Sequence, residues 1–455
     1  MRPTCNFFIA LFLHVADRIK SGSDDEVKTT LTETTTTSKK GRRLVIAGGG
    51  PLHGACSIST SKNAVLPILA ACLLTRDTAT IRRVPAISDV KNMLSLLRTF
   101  GAKVSLDDGV ATITTKTIKT TSPNENMVSR LRASFLFMGP LLAREGCVTI
   151  PMPGGCRIGQ RPIDLHLAGF RALGARSITA SGHVHTWGKS LRGATICLDY
   201  PSVGATENIM MAACTATGTT TIIDAATEPE IADLAGFLNA MGAKIHISSD
   251  SRVVIEGVTE LHGTDYTPIS DRIEAGTLMV AAAITGGDVH LNGVHNTHLK
   301  PVSLKLAEAG AEIFPYPGGV RVCGHGARPM SIVSSPFPGF PTDMQAPFMA
   351  ACCLAKGVST INETVFENRF LHVPELQKMG ADITVAGNTA VVNGTGRLCG
   401  TEVNVTDLRA GAALCIAGLL AEGETVLKDI QHLDRGYEDL EDKLTRLGAN
   451  IRRET

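Results

Sequence analysis

Apolar and polar positions along this chain follow two patterns that recur together. The first is amphipathic with a helical period; it stops at Gly-Ala and runs on into a β-branched stretch, as in LLRTFGAKV, FRALGARSI, FLNAMGAKI, KLAEAGAEI, ELQKMGADI and KLTRLGANI. The glycines are Gly101, Gly174, Gly242, Gly310, Gly380 and Gly448, at intervals of 73, 68, 68, 70 and 68 residues. Spacing this even predicts six structural repeats, each with a helix closed by a left-handed glycine and followed by a strand. The second pattern is apolar on every side, as in NAVLPILAACLL, ENIMMAACTATG, EAGTLMVAAAITGG and RAGAALCIAGLLAEG. A helix of that kind must be buried, so its amphipathic partner and the strands have to pack around it. Each unit is therefore expected to hold helices inside and sheet outside.

Six units in 455 residues exceed what one core accommodates, since single cores stop growing at roughly 250–300 residues. Two lobes of three units follow, with TPISDR (267–272) near the middle. The first lobe is expected over 62–269 and the second over 270–455, joined by 43–61 because the strand-like LVIAGGGPLHGACSIS fits the second lobe. The chain then crosses between lobes twice, and a substrate cleft lies between them. Residues 1–42 are separate. Arg2 and FFIALFLHVA resemble a signal segment without an A-x-A site, too short to span a bilayer. The polar SGSDDEVKTTLTETTTTSKKGRR reads as a disordered extension, and its acidic residues weigh against a transit peptide.

Composition narrows the function. A net charge of +1 gives no field for nucleic acid or an anionic membrane, and no stable membrane insertion is expected. Twelve scattered cysteines without C-x-x-C spacing suit a reducing compartment, with Cys352 and Cys353 read as buried thiols in an Ala-rich helix. GGGPLHG lacks the Lys-Ser/Thr of a phosphate loop, carrying Ala55-Cys56 instead, and reads as a hairpin turn. There is no H-E-x-x-H, and the pairs His183/His185 and His295/His298 sit in polar, loop-like sequence. With no G-x-S-x-G either, metal-dependent and acyl-serine hydrolysis have no support.

What remains is a set of cations at turns: Lys62, Arg132, Arg161, Arg369, Arg409 and Arg435. Any one alone reads as a surface charge. At corresponding corners of repeats they would face one cleft, which suits a small, multiply charged anion gripped by guanidinium forks. Cys156, in PMPGGCRIGQRPIDLH, lies on Pro/Gly-rich backbone and is either incidental or reactive.

The segments STSKNAVLPILAACLL, RLRASFLFMGPLLAR, PGGCRIGQRPIDLHLAG, SVGATENIMMAA, EPEIADL, FPTDMQAPF, ETVFENRFLHVPEL, TDLRAGAAL and DRGYEDLEDKL resemble the enolpyruvyl transferases that act on UDP-N-acetylglucosamine. The resemblance runs from about residue 43 to the C-terminus. It implies an α/β fold of two lobes, each an inside-out α/β barrel of three βαβαββ-type repeats. The implied reaction moves the enolpyruvyl group of phosphoenolpyruvate to the sugar 3′-hydroxyl through a tetrahedral ketal, releasing phosphate, as the first committed step of peptidoglycan precursor synthesis. Only these two small molecules are implied as partners, with no metal or other cofactor.

Position by position, the resemblance implies Cys156 as general acid on a closing loop and Asp343 as the base at the sugar hydroxyl. Lys62, Arg161 and Arg435 match the phosphate grip, and Arg369 and Arg409 the carboxylate side, with Asp407 orienting Arg409. Asn63, Arg132, Arg161, Pro162, Ile163, Asp164, Leu165, Ser202, Val203, Gly204 and Val365 match contacts to the UDP-sugar or the nearby cleft; Tyr200 and Pro201 stand where some members carry a basic residue. A thiol beside arginines is expected to react with an epoxide phosphonate such as fosfomycin. The cytoplasm is the expected location, or a plastid stroma if residues 1–42 direct import. Two rivals stay open: the sister transferase acting on shikimate 3-phosphate, which lacks the PGGCRIGQRP loop, and a catalytically silent UDP-sugar-binding relative.

Overall fold

The six repeat glycines hold φ between +91° and +104°, where a residue with a side chain is strained. Each follows an outer helix: Ser88–Thr99, Asp164–Ala172, Pro229–Ala240, Asn296–Glu308, Val373–Lys378 and Leu440–Arg446. All six close with the same pair of bonds. At Gly242 the glycine amide donates to Asn239 O (2.9 Å) and the next amide, Ala243, to Leu238 O (3.0 Å), so the left-handed turn satisfies carbonyls that a helix end leaves open. The computed structural model describes residues 43–128, 131–152 and 163–454, so the readings of 1–42, Cys156, Arg161 and Pro162 fall outside the described residues.

The uniformly apolar segments form the inner helices. All fourteen residues of Arg272–Thr285 and all eleven of Leu408–Gly418 are buried, and Lys62–Ala71, Val203–Ala213 and Gln345–Leu354 are nearly so. Small residues let these helices touch. A Cβ on Gly139, in Met138–Glu145, would stand 2.4 Å from the Asn208 carbonyl of Val203–Ala213. Cys352 and Cys353 are buried as expected.

Among the described residues the strands make five four-stranded sheets and one of three. In one repeat, Thr195–Cys197 runs parallel to Thr219–Ile223, which pairs antiparallel with Val253–Glu256, itself antiparallel to Lys244–Ile247. With Val203–Ala213 and Pro229–Ala240 between them, the order is βαβαββ. The fold is α/β, with helices inside and sheets outside.

Buried apolar side chains gather in two clusters, one from Val65 to Leu261, the other from Leu44–Ile58 and Ile273–Ile451. Two short strands are exchanged. Asp265–Tyr266 completes the sheet of Thr78–Ile81 in the first core, and His53–Ser57 that of Asp288–Asn292 in the second. The segments that pass between the cores lie side by side, with Ser61 N to Ile269 O at 2.8 Å and Asp271 N to Ser59 O at 2.8 Å. Asp271 fastens both: Oδ1 accepts the amides of Ile273 and Glu274, capping Arg272–Thr285, while Oδ2 accepts the Lys62 amide at 3.2 Å.

Two expectations are corrected. GGGPLHG is not a hairpin, because Arg43–Ala47 lies between Glu424–Lys428 and Asn450–Glu454 in one sheet while His53–Ser57 belongs to another. The glycines serve a change of sheet; a Cβ at Gly48 would stand 2.0 Å from Ala421 O. His183 and His185 lie on the strand His183–Trp187, whose alternate residues Val184 and Thr186 are buried, so the polar run is one face of a strand. His295 precedes, and His298 falls in, the first turn of Asn296–Glu308.

Candidate active site

Lys62 opens an inner helix, and its ammonium reaches Asp89 Oδ2 at 3.2 Å. Asp89, in the first turn of Ser88–Thr99, is 2% exposed. It also accepts from Arg435, whose Nε lies 3.0 Å from Oδ1 and Nη2 3.3 Å from Oδ2. Arg435 ends the 3₁₀ turn Ile430–Arg435 of the second core, so cations from the two cores share one buried carboxylate. Burial pushes the Lys62 ammonium below its ordinary pKa; Asp89 opposes this, Arg409 and Arg435 add to it, and Asp343 opposes it.

Asp343 organises a second pair. It lies in the turn Thr342–Met344 that leads into Gln345–Leu354, and Oδ1 accepts from Arg369 Nη2 at 2.7 Å while Oδ2 accepts from Arg409 Nη2 at 2.8 Å. The two arginine side chains are 4% and 3% exposed, whereas Asp343 keeps 26% of its surface open. Aromatic faces back both guanidiniums: Arg409 lies 5.4 Å from the Tyr437 ring centre and Arg369 5.7 Å from that of Phe366. The Tyr437 hydroxyl is in turn 2.9 Å from Thr277 Oγ1. Burial would raise the Asp343 carboxyl, but Arg409 and Arg369, with Lys62, outweigh it and hold the group far below the usual carboxylate range. Asp343 is thus a weak proton acceptor while both arginines stay on it. Asp407 touches Arg409 through the backbone, capping Leu408–Gly418 with Oδ1 on the amides of Arg409 (2.9 Å) and Ala410 (3.2 Å).

Several of the sugar-nucleotide candidates gather around His166. Asp164 and Leu165 begin the helix Asp164–Ala172 behind Ile163, and Ser202 caps Val203–Ala213 through the Ala205 amide at 3.4 Å. His166 joins the two helices. Asn208 Nδ2 donates to its Nδ1 at 3.0 Å, Phe135 stacks edge-on at 5.0 Å, and a Cβ on Gly204 would come 3.2 Å from its Cε1. Burial, and then the charge of Arg132, push the His166 pKa down to about 3, so the imidazole is neutral. Val365 belongs to the Asp343 side: Glu363 accepts its amide at 2.8 Å and the Thr342 hydroxyl at 2.9 Å. Asn63 follows Lys62, half-buried, and the exposed Tyr200 and half-buried Pro201 precede Ser202.

Four of the six expected cations, Lys62, Arg369, Arg409 and Arg435, therefore gather around two carboxylates; Arg132 faces His166 instead. Sequence reasoning missed Asp89, because an aspartate in a first helical turn reads as a partner of the helix dipole. It also missed the buried pair of Glu230 and Arg272 (3.0 Å) between the cores, where Arg272 lies 5.6 Å from the Phe337 ring centre. Beside them the Phe337 amide donates to Glu228 at 3.3 Å and Thr227 Oγ1 to Phe337 O at 2.7 Å.

Four cations and two carboxylates contributed by both inside-out α/β cores thus meet in ion pairs, a setting suited to small, highly charged anions. The family model for EPSP synthase (3-phosphoshikimate 1-carboxyvinyltransferase) matches residues 46–444, and the chain belongs to this enolpyruvyl transferase family. Within it, the chain is 53% identical over 404 residues to UDP-N-acetylglucosamine 1-carboxyvinyltransferase 1 of Caldanaerobacter subterraneus subsp. tengcongensis, covering 89% of this chain and 97% of that protein. It is 49% identical to the enzyme of the same name from Clostridium perfringens, over 89% and 98% of the two chains. These identities put it among the UDP-N-acetylglucosamine 1-carboxyvinyltransferases. Among solved structures, the enolpyruvyl transferase NikO from Streptomyces tendae superposes with TM-score 0.81 at 26% identity, over 90% of this chain and 99% of that one. EPSP synthase from Acinetobacter baumannii shares the fold, with TM-score 0.70 at 19% identity over the same shares.

Proposed function

We infer that the protein transfers the enolpyruvyl group of phosphoenolpyruvate to the 3′-hydroxyl of UDP-N-acetylglucosamine and releases phosphate. The observation that carries this reading is the Arg369–Asp343–Arg409 cluster beside the Lys62–Asp89–Arg435 cluster, in a chain about half identical to transferases of that name. Phosphoenolpyruvate carries a carboxylate and a phosphate ester on the same carbon, C2. Its phosphate suits Lys62 and Arg435, joined by Arg161, and its carboxylate suits Arg369 and Arg409. Arg409 Nε is a buried donor with no partner among the described residues, which a bound carboxylate would satisfy.

The same competition frees Asp343. A substrate carboxylate that draws the two guanidiniums away weakens the pairing that holds Asp343 ionised, and its affinity for the sugar hydroxyl proton rises accordingly. As that proton leaves, the oxygen attacks C2 of the enol phosphate while Cys156 protonates C3, giving the tetrahedral ketal; loss of a C3 proton and of phosphate then restores the double bond, now in the enol ether product. Arg132, Ile163 to Leu165 and Ser202 to Gly204 form a face for the UDP-sugar, completed by Asn63, Pro162 and Val365. The reading assigns the protein to the cytoplasm, or to a plastid stroma if residues 1–42 direct import. Among the described residues no helix is long and apolar enough to cross a membrane.

Phosphate release tests the reading. It is expected with phosphoenolpyruvate and UDP-N-acetylglucosamine and not with shikimate 3-phosphate; the reverse outcome assigns the sister activity, and release with neither leaves a silent binder. Cys156→Ser is expected to lower turnover at least a hundredfold, since a serine hydroxyl is a far weaker acid. Undiminished turnover would remove Cys156 from the mechanism.

A further inference from the structure

Asp89 belongs to neither of the groups just assigned to the two substrates, yet it is the most deeply enclosed carboxylate of the cluster. Its position in the first turn of Ser88–Thr99 invites the bland view of a helix-dipole partner. The geometry is otherwise: Ile87 stands at the N-cap and no side chain caps this helix, while both Asp89 oxygens are given to cations. A carboxylate 2% exposed is costly to keep unless paired, and here the partners come from both cores. The segment around it is built to the same end. The Ala86 amide donates to Glu438 Oε1 at 2.6 Å and Ser88 Oγ to Asp434 O at 3.3 Å, so residues 86–89 dock along the 434–438 turn that carries Arg435.

Resting on the reading above, we propose that Asp89 is a positioning residue of the phosphate end of the site: it fixes Lys62 and Arg435, from opposite cores, against one carboxylate and supplies the countercharge that lets two cations share a buried corner. Without it they would repel each other, and the lysine would have the simplest escape, loss of its proton. The groups facing the Lys62 ammonium are Asp89 on the outer helix, Arg409 on Leu408–Gly418, Arg435 on the 3₁₀ turn and Asp343 on the turn before Gln345–Leu354. Burial and the two arginines favour the neutral amine. Asp89 is the larger of the two opposing carboxylate influences.

Asp89→Asn tests this. At pH 7.5 the variant is expected to lose at least tenfold in kcat/KM for phosphoenolpyruvate, with KM for UDP-N-acetylglucosamine changed less than threefold. The alkaline limb of that pH profile should move down by about one pH unit, because the remaining surroundings favour the neutral amine. Asp89→Glu, which keeps the charge on a longer arm, should restore the limb while leaving KM for phosphoenolpyruvate at least threefold raised. An asparagine variant with wild-type values overturns the proposal, as does an equal loss for both substrates with an unmoved limb, the mark of general damage. If that variant does not fold, the glutamate variant decides: an unaltered KM for phosphoenolpyruvate overturns the proposal. Wild-type enzyme assayed alongside separates the two levels, since its inactivity counts against the proposed function, whereas active wild type with an unaffected variant counts against Asp89 alone.

Discussion

His166 and Asp343 are ordinary side chains whose acidity their neighbours set. His166 is neutral in the folded protein, its pKa pushed down to about 3 by burial and by Arg132, against about 6.5 in an unfolded chain. A depressed histidine gives stability that is full above about pH 6.5 and declines below it, because the unfolded chain then takes up a proton that the folded one refuses. The slope is about 1.4 kcal/mol per pH unit for one group. His298 and His372, both pushed down to about 4 chiefly by burial, act in the same direction. Urea unfolding at pH 7.5 and 5.5 should show a marked acid loss in the wild type and a loss smaller by about 1 kcal/mol in His166→Gln. Equal losses in the two proteins would mean that the folded state accepts the proton after all.

The same helix ending serves six times, which allows backbone strain to be separated from crowding. Gly380 and Gly101 have similar φ, +91° and +104°, but a Cβ at Gly380 meets nothing within 4 Å whereas one at Gly101 would stand 2.8 Å from Thr117 O. Gly380→Ala is expected to cost about 1–2 kcal/mol from the left-handed backbone alone, and Gly101→Ala clearly more. Denaturant midpoints check the order, and equal costs would mean the Gly101 surroundings yield. These endings were legible in the sequence because their demand is local: a glycine with positive φ and a small residue after it. The hairpin reading of GGGPLHG failed for the opposite reason, since the partners of Arg43–Ala47 lie at Glu424–Lys428 and Asn450–Glu454 and no local pattern announces them. HVHTW misled in another way, its two histidines hiding the alternation of Val184 and Thr186.

Across the whole molecule, the two cores are held by a few buried polar contacts as well as by the crossing segments. Removing one partner of the Glu230–Arg272 pair strands a charge, so Glu230→Ala should cost about 3–5 kcal/mol, while Glu230→Ala with Arg272→Met should cost less than the single change. Unfolding curves of the two variants compare them directly; a costlier double variant would show that Arg272 is held by more than its glutamate. Contacts of this kind explain how far the site could be read in advance. The cations were legible as a set because they recur at turns of the repeats, but Asp89 and Arg435 are 346 positions apart and nothing in ISDV marks a shared carboxylate. The strand Arg43–Ala47 carries one further consequence, for how the protein is made. It leaves the ribosome well before either of its neighbours, Glu424–Lys428 and Asn450–Glu454, and at roughly 5–20 residues per second the separation means a wait of tens of seconds. The Val65–Leu261 core meanwhile needs only Asp265–Tyr266 to finish, so it can fold during translation. A polypeptide broken off before Glu424 leaves Arg43–Ala47 without either partner, an unpaired edge that is open to pairing with another chain until the finished protein covers it.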